Sequence, residues 1–297
     1  MRRAGLRPLP EIRSHFIQSP FAFLLQHMNI LFIGGGNMAA AIIGGLIAKG
    51  WPASVIHAVD VLPEALKRLE QQFGIRTSCD GAAAAQNADC IVLAVKPQHL
   101  REVAHSLAPA VSGKLVISIA AGIRGADLAR WLGPAACIVR AMPNTPALVA
   151  AGITGLHAMP GVSATQRQDA ERILAAVGTT FWVATERDLD AVTAVSGSGP
   201  AYVFYFIEAL EQAALELGLP AEAARQSALA TFAGAVKLAL ADSADPATLR
   251  ARVTSKGGTT ERAIAILDDA AVKTAFVRAV RGAADRAAEL GDELGKN

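Results

Sequence analysis

The sequence predicts two domains of different class: an α/β N-terminal domain on a parallel sheet over residues 28–187, and an all-helical C-terminal domain over residues 188–297. Three observations predict this. Short apolar runs alternate with helix-like periods as far as Phe181–Ala184, then stop. Those runs are apolar throughout, as in strands covered on both faces. After Glu186 every long stretch has a helical period. The length of 297 residues also suits two domains better than one.

From Met28 the chain reads as strand, glycine turn, helix. Ile30–Ile33 is the first strand, and a helix from Met38 to about Lys49 is stopped by Gly50. SVIHAVD, ending at Asp60, is the second strand. ALKRLEQQFG follows as an amphipathic helix with Leu66, Leu69 and Phe73 on one face. DCIVLAVKP, running to Lys96-Pro97, is the third strand; KLVISIAAGI is the fourth and CIVRAMPNTP contains the fifth. Phe181–Ala184 is a late strand. The helical half breaks at Gly218-Leu219-Pro220 and at Ser243–Pro246.

Residues 1–27 do not conform to this plan. They carry four arginines against one glutamate, and their apolar patch, Phe21–Leu25, is too short for a signal peptide. With Met28 at the start of the strand pattern, they read as a dispensable tail or an upstream start. The net charge of +2 gives no electrostatic case for nucleic acid or membrane partners. No run approaches the length of a membrane span. Cys79, Cys90 and Cys137 match no zinc spacing, and the six histidines form no H-E-x-x-H pattern, so no metal site is expected. Few cysteines in odd number fit reduced thiols in the cytoplasm.

Gly34-Gly35-Gly36-Asn37-Met38-Ala39 is G-x-G-x-x-A, directly after Ile33 at a strand end and opening a helix. Gly34 makes the tight turn, Gly36 lets backbone approach a pyrophosphate, and Ala39 keeps helix and strand close. This is the signature of a Rossmann-like domain binding NADH or NADPH. Asp60, about two dozen residues on, sits where a carboxylate accepts hydrogen bonds from the adenosine ribose, which leans toward NAD. An NADP pocket wants a cation; Lys67 and Arg68 supply one, or are a solvated helix face. Ala94-Val95-Lys96-Pro97 passes the ligand crevice, with Lys96 either at cofactor phosphate or at the surface. Ala120-Ala121-Gly122 is small enough to admit a nicotinamide. Pro143-Asn144-Thr145-Pro146 holds a polar pair, with Asn144 toward the crevice, between two prolines.

In the helical half, TSKGGTTERAI (Thr254–Ile264) crowds two glycines and four hydroxyls before a helical pattern. Gly257 and Gly258 leave amides bare and permit positive φ, and the helix offers its positive end to an anion. Thr259 or Thr260 reads as an N-cap, a ligand contact, or both in turn.

With Gly34–Ala39, Lys96-Pro97, Pro143–Pro146, Ser196–Tyr202 (SGSGPAY) and Thr254–Thr260 all in order, the chain resembles the pyrroline-5-carboxylate reductases from Met28 to about Leu290. The resemblance implies NAD(P)H-dependent reduction of 1-pyrroline-5-carboxylate to L-proline by a homodimer with interleaved helical domains, open to further assembly. It implies that Ser255, Gly257, Gly258 and Thr259 receive the substrate carboxylate and that Thr260 lies near the ring nitrogen. Lys256 stands where the family often has proline, and Gly81 where a cofactor-touching asparagine is usual. Reducing a protonated imine needs alignment rather than a strong acid, which fits a loop with hydroxyls alone. A β-hydroxyacid dehydrogenase would place an asparagine four residues after a helical lysine; after Lys237 the residue is Ala241. A nucleotide sensor would need no second pocket.

Overall fold

A computed structural model describes residues 28–295; the tail at 1–27 lies outside the described residues. The first half is one eight-stranded sheet. Its strands are β1 (Ile30–Ile33), β2 (Ile56–Val59), β3 (Arg76–Ser78), β4 (Cys90–Leu93), β5 (Leu115–Ser118), β6 (Cys137–Met142), β7 (Gly152–Ala158) and β8 (Gly178–Trp182). The order is β3-β2-β1-β4-β5-β6-β7-β8.

Helices cover both faces: α1 (Asn37–Ala48), α2 (Pro63–Phe73), α3 (Gly81–Gln86), α4 (Pro97–Leu107), α5 (Gly125–Leu132) and α6 (Ala164–Leu174). Helix α1 buries Ala39, Ile42, Ile43 and Leu46, the i, i+3, i+4, i+7 stripe that docks it on the sheet. One core holds Phe32, Ile43, Ile56 and Val92 on that face, and a second holds Leu31, Ile91, Leu100 and Trp131 on the other. Strands β1, β4 and β5 are buried end to end, the physical basis of their unbroken apolar runs.

The sheet departs from the sequence expectation in three ways besides the short added strand β3. Strand β7 pairs antiparallel with β6. The two are joined by a 3-10 turn, Thr145–Val149, and a parallel return would need a full crossover helix. Strand β8 follows α6 and is parallel to β7. Second, β4 ends at Leu93 instead of running to Pro97, because Lys96 is already the N-cap of α4 and Pro97 its first residue. Third, the late strand lies at Gly178–Trp182, earlier than FWVA, and alternates half-buried with exposed residues as an edge strand.

The second half is helical: α7 (Asp188–Val192), a π turn (Thr193–Gly197), α8 (Gly199–Glu216), α9 (Ala221–Ala241), α10 (Pro246–Arg252), α11 (Thr259–Asp269) and α12 (Val272–Leu294). The breaks fall where Gly218, at φ +89, and Pro246 place them. Helices α8, α10 and α11 have no buried residue. Among the described residues no helix is long and apolar enough to cross a membrane.

The end of α12 returns to the sheet domain. Arg124 donates to both oxygens of Asp190 at 3.0 and 2.9 Å and to Ala288 O at 3.3 Å. Buried Arg140 donates to Glu186 at 2.8 Å, and Arg130 donates to Gly295 O. Burial lowers the Arg140 pKa from its usual value, and Glu186 offsets that. These pairs tie β6, α5, α7 and α12 into one junction that no sequence motif announces.

Candidate functional site

The strand order reverses between β1 and β4, and in a doubly wound sheet such a switch point is where ligands bind, at the carboxyl ends of the strands. Gly34 lies there at φ +104, and a Cβ on it would stand 2.6 Å from Ala94 O, so glycine is required for both conformation and space. Ala94 N–H in turn donates to Ile33 O at 2.8 Å, knitting the two strand ends together. Gly36 differs: a Cβ there would meet nothing within 4 Å. It is the N-cap of α1 with no side-chain cap, and Gly36 and Asn37 are exposed while Gly34, Gly35 and Ala39 are buried. The first turn of α1 therefore presents free amides beside open space, which fits a pyrophosphate.

Asp60 follows β2 and closes the turn from the side. Its Oδ2 accepts the Gly35 N–H at 2.6 Å and its Oδ1 accepts the Leu62 N–H at 2.9 Å. Arg68 donates to Gly35 O at 2.9 Å. Of the two cations that the sequence left as a possible solvated face, Arg68 thus belongs to the turn. Lys67 is exposed.

The remaining crevice positions divide. Lys96 is exposed at the head of α4, with Val95 half-buried behind it. Ala120 is buried and Ala121 half-buried after β5. The small size of the next residue has a packing cause, since a Cβ on Gly122 would stand 3.0 Å from Leu294 and 3.2 Å from Leu290 of α12. Asn144 is buried, and its side chain is spent on the protein: Oδ1 accepts Ile153 N–H at 2.9 Å and Nδ2 donates to Ser196 O at 3.1 Å. It fastens the loop after β6 to the π turn that carries SGSG.

That π turn is held by Ser196, which donates to Val192 O, and by Tyr202, whose hydroxyl donates to Ala194 O at 3.1 Å. Single π turns of this kind recur at functional sites. Beside it lies a cavity of about 490 Å³ lined by Asn144, Pro146, Tyr202, Phe206, Phe232 and Phe276.

The SKGGTT loop precedes α11. Gly257 has φ +71; Gly258 has φ −86, and its lack of a Cβ serves space, since one would stand 2.5 Å from Ser255 Oγ. Gly258 is the N-cap, with no side-chain cap, so Thr259 and Thr260 are first-turn residues whose hydroxyls are not capping. A carboxylate already sits against the loop: Glu261 Oε2 accepts the Gly257 N–H at 2.6 Å. The sequence reading missed this contact, and Glu261 three residues past the N-cap was its only signal. Helix α11 packs on α12, and no contact of comparable extent joins it to the sheet among the described residues. A Cβ on Gly36 or on Gly257 would meet nothing within 4 Å, so neither glycine is packed against the other.

The fold and the crevice define the class: a nicotinamide-dinucleotide oxidoreductase with an appended helical domain. Residues 29–122 match the family described as NADP oxidoreductase, coenzyme F420-dependent, and residues 186–290 match pyrroline-5-carboxylate reductase dimerisation. A pyrroline-5-carboxylate reductase of Pseudomonas aeruginosa is 46% identical over 268 residues, covering 90% of this chain and 98% of that protein. The solved reductase of Coxiella burnetii superposes with a TM-score of 0.85 at 43% identity, over 89% of this chain and 98% of that one. The Plasmodium falciparum enzyme, solved with NADP bound, gives 0.81 at 28% identity, over 90% and 99%. The chain belongs to the pyrroline-5-carboxylate reductase family.

Proposed function

We infer that the chain reduces 1-pyrroline-5-carboxylate to L-proline with NAD(P)H, the last step of proline synthesis. The observation that carries this is a glycine turn at the strand switch point whose Gly36 is exposed beside open space, in a chain matching such reductases over nine-tenths of its length. When bound, the dihydronicotinamide supplies the hydride that reduces the C=N carbon.

The chain's own residues bind and align. Gly34, Gly35 and Gly36 with the amides of Asn37 and Met38 form the pyrophosphate cradle, and Ile33 ends the strand beneath it. Asp60 faces the adenosine ribose. Ala94, Val95, Lys96 and Pro97 wall the crevice on the β4 side, and Ala120 and Ala121 leave room for the nicotinamide. Asn144 acts as a positioning residue through Ser196. Ser255, Gly257, Gly258 and Thr259 take the substrate carboxylate; that Gly257 already holds the Glu261 carboxylate supports this. Thr260 hydrogen-bonds the ring nitrogen and orients it as charge leaves it.

The helical half makes the homodimer. Phe204 and Tyr205 are 65% and 67% exposed on α8, each forgoing about 1.5–3 kcal/mol of burial that a second copy would recover. We read the loop of one protomer as serving the crevice of its partner, since Gly36 and Gly257 each have open space around them within one chain. Three free cysteines fit a cytoplasmic setting. The test follows coenzyme oxidation with 1-pyrroline-5-carboxylate: turnover is expected, with Thr260→Ala lowering kcat/KM by about 100-fold. No turnover with either coenzyme would refute the reading.

A further inference from the structure

We propose that Arg124 and Asp190 are positioning residues for hydride transfer: their ion pair fixes the loop that admits the nicotinamide against the π turn of the helical half. This rests on the reductase reading above.

Arg124 follows the small run Ala120-Ala121-Gly122 by two residues and is the N-cap residue of α5. Its backbone belongs to the sheet domain, but its side chain reaches the other half. Nη1 donates to both oxygens of Asp190 at 3.0 and 2.9 Å, and Nη2 donates to Ala288 O of α12 at 3.3 Å. Helix α12 makes room for the guanidinium at Gly291, where a Cβ would stand 2.5 Å from Arg124 Nε. Glycine is a poor residue inside a helix, and here it supplies that space. The Arg124 and Asp190 side chains are 19% and 15% exposed, so solvent screens the pair only in part.

Asp190 lies in the first turn of α7, which runs without a break into the π turn carrying Ser196. A second link runs beside the first. Glu186 Oε1 accepts both the Gly125 N–H and the Arg140 Nη1–H, the latter at 2.8 Å. Residues 124 and 125 are thus each pinned to the segment 186–190. Two arginines meet two carboxylates, so the cluster is balanced in charge. The guanidinium is planar and rigid, and it holds α7 through one nitrogen and α12 through the other. One group therefore references α5, α7 and α12 to each other. Hydride transfer is sensitive to such a reference, since a misplacement of about 1 Å can cost on the order of 100-fold in rate. Coenzyme affinity should not follow, because the glycine turn follows β1 and Asp60 follows β2, whereas Arg124 follows β5.

The test measures kcat, KM and coenzyme dissociation constants for the full chain and for Arg124→Gln, Asp190→Asn and the double variant. Arg124→Gln is expected to lower kcat about 30-fold and Asp190→Asn about tenfold, with coenzyme dissociation constants changed by less than about twofold. The double variant should lose no more than Arg124→Gln alone, because both changes break one link. Arg124→Lys keeps the charge without the planar fork and should recover part of the loss. The isotope effect on kcat with coenzyme deuterated at the transferred position should be at least as large in each variant as in the unaltered chain. A kcat that holds while the melting temperature falls would make the pair domain glue and overturn the proposal. Losses that multiply in the double variant would overturn it too, as would a smaller isotope effect, which places the loss in another step. Should Arg124→Gln fail to fold, Asp190→Asn and Arg124→Lys decide by the same comparisons. If the unaltered chain turned over no substrate, the reductase reading itself would fall, a result distinct from an active enzyme whose kcat ignores this pair.

Discussion

The two halves of the chain bury their apolar residues to very different degrees. The sheet domain closes on itself, with β1, β4 and β5 wholly buried and a core on each face. The helical half has α8 and α11 with no buried residue, and α9 buries only Ala224 and Ala228. The two halves are therefore completed in different places. The first supplies its own solvent exclusion and can hold a cofactor crevice alone. The second presents apolar side chains that gain their full burial only from another surface. The loop that we assign to the substrate sits in the incomplete half, and that assignment couples chemistry to assembly.

This contrast can be broken from either side. The largest effect should come from Gly36→Leu. The position is exposed at φ −69 with open space around it, so the fold should tolerate the side chain while the cradle does not. Coenzyme affinity should fall by about 100-fold or more with melting temperature unchanged. A drop in melting temperature instead would mean that the space is structural. Next, Phe204→Asp should dissociate the dimer and make activity depend on protein concentration, leaving coenzyme affinity intact. Sedimentation that stays dimeric would place the interface elsewhere.

A smaller effect is expected at Glu261. Its carboxylate occupies the amide assigned to the substrate, so Glu261→Gln should lower KM about three- to tenfold at constant kcat. A higher KM would show that Glu261 preorganises the loop rather than competing for it. The smallest concerns the sheet alone. Burial first, and Arg76 second, lower the His57 pKa below its ordinary value near 6.5. The unfolded chain then binds the proton first on acidification. The contribution of His57 is present above about pH 6.5 and is lost as pH falls toward its folded value. His57→Gln should flatten that acid loss by about 1–2 °C in melting temperature, and leave the helical half unaffected.

Most of the sheet was legible because full burial writes itself as unbroken apolar runs. Strand β7 was not. GITGLHA offers two glycines and a threonine, and its place is set by the short turn before it. Strand β3, Arg76-Thr77-Ser78, is polar and three residues long, and only pairing to β2 defines it. Of the site, the glycine turn was legible because backbone geometry demands glycine at its first position, Gly34. The roles of Arg68 and Glu261 were not, since each is a side chain reaching a backbone group and follows from orientation rather than spacing. Asn144 shows the reverse case: its position was evident, but its amide serves Ile153 and Ser196.

Mixing two inactive variants tests whether one protomer's loop serves its partner's crevice. Gly36→Leu disables a crevice and Thr260→Ala a loop. In a crossed twofold dimer each mixed pair rebuilds one intact site, so unfolding and refolding them together should restore about a quarter of full activity. If the mixture is no more active than the sum of its parts, each loop serves its own chain and the claim is wrong.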